Sequence, residues 1–204
     1  MLRTLKAAGV LATAAAIAMA GVGAADAAVT HTAPFAAQVK AAGLNTSQAT
    51  ALQNRVDQLL QQYKGAKQVA ANEISLPHGA SMLLPLPGQK YAHVLPGAVN
   101  LGFAPATTSN AVRPDTSSCP YEYFCMWQGE DWTGEQFNVS TCNEIQELPG
   151  SGWDDVGSYD NNQTANTSAY LLNSSKVITA TISPGLSDYA FNWTPYWYAE
   201  ACKS

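Results

Sequence analysis

The fold turns on WQGEDWTG at residues 127–134, followed about twenty residues later by WDDVGSY at residues 153–159. In the first stretch an aromatic, Trp127, is followed by another five positions on, Trp132, and then by Gly134. Such spacing fits a hairpin folded over on itself. Gly134 supplies the positive φ that a side chain disfavours, and the two indoles cover the turn. On either side, short runs rich in Tyr, Phe, Trp, Val, Ile and Thr alternate with Gly, Asn, Asp and Ser clusters, the pattern of short antiparallel strands. Strands are expected at Tyr121–Gln128, Glu135–Ser140, Ser168–Asn173, Val177–Ile182 and Tyr196–Cys202. No run of ten residues in this half reads as a helix. The expected class is all-β, a Greek-key sandwich.

All four Cys and all five Trp follow residue 115, whereas His31, His78 and His93 precede it. Residues 116–204 hold 2 basic and 11 acidic side chains, residues 28–115 hold 6 and 3, and the whole chain of 204 carries −5. A net negative charge and a pI near 5.0 exclude a nucleic-acid footprint. Without His, the C-terminal half cannot assemble a Ser-His-Asp or Cys-His pair of its own. Adjacent carboxylates such as Glu130/Asp131 and Asp154/Asp155 sit on turns and do not span a cleft as a glycosidase requires. The expectation is a non-enzyme with no cofactor. His78 and His93 lie in Pro-rich loops and read as bystanders, not ligands.

Residues 1–27 read as a secretory signal peptide. Arg3 and Lys6 open it, an Ala-rich apolar stretch follows, and Ala25-Asp26-Ala27 provides small residues for cleavage. The remainder is then expected to be secreted, with no membrane contact after cleavage. In that setting Cys119, Cys125, Cys142 and Cys202 read as two disulfides, with three pairings open. If Tyr121–Gln128 pairs with Glu135–Ser140, register brings Cys119 near Cys142 and leaves Cys125 for Cys202.

Residues 28–85 are expected to form a helix-plus-hairpin region. Asn45 or Ser47 caps a helix over 47–64, with Leu52, Val56, Leu59, Leu60 and Tyr63 on one face and Gly65 at its end. A strand around Val69–Ile74, a turn at Pro77-His78-Gly79 and a return at Met82–Leu84 make the hairpin. Residues 86–118, rich in Pro, Ala, Ser and Thr, read as a linker to a domain at 119–204.

Trp127, Trp132 and Gly134 with Ser158 after Asp154-Asp155 resemble the βγ-crystallin motif. The opening Cys119-Pro-Tyr-Glu-Tyr-Phe-Cys125-Met-Trp127 resembles secreted bacterial peptidase inhibitors of the Streptomyces metalloproteinase inhibitor type. The resemblance runs from about Cys119 to Thr164, and less clearly to Cys202. It implies a βγ-crystallin-like Greek-key sandwich and inhibition of an extracellular protease, a metalloproteinase first. It also implies a local Cys119–Cys125 bridge, leaving Cys142–Cys202. The turns around Gly129–Thr133 and Ser183–Asp188 are candidate contact loops. The calcium form of the motif would draw on Asp154, Asp155 and Ser158. Tyr159 replaces its final Ser, so at most weak, millimolar Ca²⁺ binding is expected.

The aromatic run Trp193, Tyr196, Trp197 and Tyr198 supports a second reading. Exposed aromatic faces stack on sugars, which makes a non-catalytic carbohydrate- or cell-wall-binding module the alternative, with a glycan as partner. In a strand, Tyr196 and Tyr198 would share one face and Trp197 the other.

Overall fold

Asn45 starts the main helix. Its side chain accepts the Gln48 amide N–H at 2.9 Å while the Gln48 side chain accepts the Asn45 N–H at 3.1 Å, a reciprocal cap. The computed structural model describes residues 33–98, 119–150 and 153–203. The signal-peptide expectation at residues 1–27 lies outside them. Helix α1 spans Ala36–Ala41 and α2 spans Thr46–Gln62. The expected stripe on α2 is the buried one: Leu52, Val56 and Leu59 face inward and Tyr63 follows. Burying each such side chain stabilises by about 1.5–3 kcal/mol.

Among the described residues eleven strands follow: β1 Lys67–Ala70, β2 Glu73–Ser75, β3 Ser81–Leu83, β4 Phe124–Trp127, β5 Gln136–Val139, β6 Ile145–Glu147, β7 Val156–Asn161, β8 Ala169–Leu172, β9 Ile178–Ile182, β10 Ser187–Asn192 and β11 Tyr198–Glu200. The strand expected at Val69–Ile74 is two strands joined at Ala71-Asn72. Asn72 turns the chain there, its Nδ2 donating to the Leu84 carbonyl at 2.8 Å and the His93 carbonyl at 2.9 Å. β6, β7 and β10 had no counterpart among the expected strands.

Two antiparallel sheets result, one of seven strands in the order β1-β2-β3-β5-β4-β7-β10 and one of four in the order β6-β11-β8-β9. The run β4 to β7 places three strands in the large sheet and lends β6 to the small one. The run β8 to β11 does the reverse with β10. A third strand that leaves for the opposite sheet, while the fourth returns beside the first, is compatible with a Greek-key sandwich. The class is thus mostly β, with a short helical region near the N-terminal end of the described chain.

Strands from before residue 86 and after residue 118 share the large sheet, because β3 pairs with β5, Met82 opposite Phe137. One core takes Val56, Leu59 and Tyr63 of the helical region together with Phe124, Phe137, Trp153, Leu171 and Trp193. Residues 86–98, read as linker, bury Leu86, Ala92 and Leu95. Cys119 is bridged to Cys125 and Cys142 to Cys202, with Cα separations of 5.7 and 4.3 Å. β4 and β5 pair as the register argument assumed, Phe124 opposite Val139, but Cys119 turns back onto Cys125.

Candidate functional site

The stretch that decides the fold forms a folded hairpin between β4 and β5. Asp131, Trp132 and Gly134 all take positive φ, at 53°, 60° and 82°. A Cβ on Gly134 would meet the Gln128 side chain at 3.0 Å, and its N–H donates to the Lys90 carbonyl at 2.7 Å. Two non-glycine residues in the left-handed region require outside support. Ser158 on β7 supplies it. Its Oγ accepts the Trp132 N–H at 2.9 Å and donates to the Gly129 carbonyl at 2.9 Å. Trp127 and Trp132 pack with the Cys119–Cys125 bridge in one buried cluster.

Gly157 has a role that its sequence context does not advertise. The Trp193 indole N–H crosses it to reach the Trp127 carbonyl at 3.0 Å, and a Cβ at 157 would collide with both partners. Trp193 is therefore a core residue that ties the two four-strand runs together, its ring 5.9 Å from that of Trp153. Tyr196 stacks on Phe191 at 5.4 Å, and Tyr198 lies beneath the Lys176 ammonium at 5.0 Å. Of the four aromatics named from sequence, Trp197 is the exposed one, at 55%.

Trp197 lines a cleft of about 330 Å³ with Glu147, Leu148, Trp153, Asp154, Thr194 and Tyr196. Its walls are fixed. The Leu148 N–H donates to the Trp197 carbonyl, and the Thr194 hydroxyl donates to the Asp154 carbonyl at 2.8 Å.

Of the residues read as calcium ligands, Asp155 and Ser158 have side-chain hydrogen bonds within the fold. Asp155 Oδ1 accepts the Val156 N–H at 2.8 Å, and Ser158 is fully buried in the hairpin. The Tyr159 ring packs on Phe124 and Phe191 at 5.9 and 5.0 Å. Among the described residues no three His, Cys, Asp or Glu gather as a metal set. Burial pushes the Asp160 carboxyl up to about 6.

Of the expected contact loops, Gly129–Thr133 exposes only Glu130 and Asp131. Ser183–Asp188 is the more open, with Leu186 at 51%. Sequence reasoning did not single out the residues that hold this second loop. Asn161, fully buried on β7, donates from Nδ2 to the Ile182 carbonyl at 2.8 Å. Its carbonyl accepts the Gly185 N–H at 2.7 Å and its N–H donates to the Leu186 carbonyl at 2.9 Å. No local signal marks Asn161 for this role, because its partners lie more than twenty positions downstream.

An uncharacterized gerABC family protein of Dictyostelium discoideum is 29% identical over 79 residues, 39% of this chain and 69% of that protein. No solved structure matches the chain. The stretch that carries the Cys119–Cys125 bridge, the folded hairpin and Ser158 lies within residues 112–174, and there the chain is similar to peptidase inhibitor family I36.

Proposed function

We propose that this chain is a secreted peptidase inhibitor whose target is an extracellular metalloproteinase. The observation that carries the reading is the family match over residues 112–174. That match supports a peptidase-inhibitor-like, non-catalytic role. The metalloproteinase target follows the resemblance of Cys119–Trp127. Two disulfides suit an oxidising compartment, and the signal-peptide pattern of residues 1–27 fits export. An inhibitor needs a surface that docks with little ordering and resists hydrolysis, and a disulfide-stapled β-structure with pinned turns meets both needs.

The test begins with the full chain expressed for export and purified from the medium, its N-terminus determined. It is then titrated against thermolysin, subtilisin and trypsin. Inhibition of thermolysin at nanomolar to micromolar concentration is expected, and inhibition of none of the three rejects the reading. The cleft that presents Trp197 favours one second reading, a carbohydrate-binding module. Retention on insoluble glycan by a protein that inhibits no peptidase would establish it.

A further inference from the structure

Three of the large apolar side chains exposed on the described surface are Tyr121 at 65%, Leu186 at 51% and Tyr189 at 64%. Tyr121 and Leu186 belong to segments held by Asn161 and Asn162 at the end of β7, and Tyr189 follows on β10. Asn161 holds the Ser183–Leu186 turn through the three hydrogen bonds already described. Asn162 holds the disulfide loop: its carbonyl accepts the Glu122 N–H at 2.9 Å, its N–H donates to the Tyr123 carbonyl at 3.0 Å, and its Nδ2 donates to the Cys119 carbonyl at 2.8 Å. Pro184 and Gly185, the latter at φ 77°, close the turn so that Leu186 emerges just before β10.

We propose that this end of the large sheet is the surface that meets the peptidase, with Leu186 as the side chain that enters the enzyme's principal specificity pocket. The proposal rests on the inhibitor reading and names its contact site. A few side chains that fill pockets on the partner carry most of an interface's binding energy, and Leu186 and Tyr189 stand exposed on and just after a pinned turn. Because the turn is already fixed, docking orders few further torsions. The turn also joins β9 of the small sheet to β10 of the large one, and each is hydrogen-bonded to its own neighbour, β8 and β7. A peptide bond cut near Leu186 would leave both new ends tethered by their sheets and by Asn161, poised to rejoin. The partner is a peptidase whose pocket takes a large aliphatic side chain. A pocket built around an acidic group for Lys or Arg does not suit it.

Inhibition constants of the full chain toward thermolysin, subtilisin and trypsin test this, with Leu186→Asp, Leu186→Ser, Tyr189→Ala and Val177→Asp. Val177 is equally exposed, on the separate turn between β8 and β9. Thermal melts identify any variant that is not folded, and Leu186→Ser is the milder replacement if Leu186→Asp fails that check. Expected are no inhibition of trypsin, a loss of about 100-fold for Leu186→Asp, about 10-fold for Tyr189→Ala, and less than about 2-fold for Val177→Asp. Wild-type potency in folded Leu186 variants, or loss confined to Val177→Asp, overturns the assignment and leaves the inhibitor reading standing. Inhibition of trypsin alone does the same. No inhibition by the wild-type chain overturns both.

Discussion

Arg55 on α2 and Glu135 beside β5, eighty positions apart, form a two-pronged ion pair: Arg55 Nε and Nη2 reach the two carboxylate oxygens of Glu135, the second at 2.7 Å. The pair holds the guanidinium charged, its pKa raised chiefly by the Glu135 hydrogen bond. Removing Arg55 leaves a largely buried carboxylate without its cation. Arg55→Ala is expected to lower unfolding free energy by on the order of 2 kcal/mol in urea titrations. Arg55→Lys should recover less than half, because an ammonium cannot match both oxygens.

Glu73 on β2 is fully buried, and its carboxyl oxygens have no hydrogen-bond partner among the described residues. Burial pushes its pKa from an ordinary 4.5 up to about 7. The folded chain therefore holds a proton that the unfolded chain releases, so this stabilisation is complete below about pH 4.5 and is lost as pH rises through 7. Asp160, raised to about 6 by burial, acts in the same direction. Thermal melts should show a lower midpoint at pH 8 than at pH 5. Glu73→Gln should flatten that slope and stabilise the protein at pH 8, by on the order of 3 kcal/mol.

The two disulfides should differ in worth. Cys142–Cys202 closes a separation of 60 residues and Cys119–Cys125 one of 6. Restriction of the unfolded chain gives roughly 4 and 2 kcal/mol. Replacing both cysteines of one bridge by Ser, and comparing urea midpoints, should place the Cys142–Cys202 variant clearly lower. Equal midpoints would contradict this account.

Calcium should do little. With Asp155 Oδ1 engaged at Val156 and Ser158 locked into the hairpin, the remaining ligands are too few for a fixed site. One millimolar Ca²⁺ is expected to shift the melting temperature by less than about 2 °C, within the weak range of extracellular sites. A rise on the order of 10 °C that Asp155→Ala abolishes would mean that the Asp154-Asp155 turn opens to bind the ion.

The class of the fold and its folded hairpin were readable because they depend on local chemistry. Aromatic spacing, a glycine and alternating short runs all act within a few residues. β7 escaped notice because its apolar content is slight: Ser158, Asp160 and Asn161 are buried, and Ser158 and Asn161 serve partners distant in sequence. β10 escaped because Ser187, Tyr189 and Ala190 face solvent, so no alternation marks it. For the candidate site, the Ser183–Asp188 stretch was legible as an exposed turn. Its stiffness was not, since that comes from Asn161 more than twenty positions upstream. The aromatic run around Trp193 gave composition without direction. Burial of Trp193 depends on Gly157, and that relationship exists only once β7 and β10 are side by side.

The exchange of β6 and β10 between the two sheets also decides where the chain can be divided. A cut at residues 162–168 would separate β4–β7 from β8–β11, and each piece would lack a strand that the other holds. Neither piece could close its own sheet, and β5, β4 and β7 on one side and β9, β8 and β11 on the other would each wait for a missing neighbour. Each half holds the strand that completes the other's sheet. The stretch of family likeness ends at residue 174, just past β8, so β9, β10 and β11 lie beyond it.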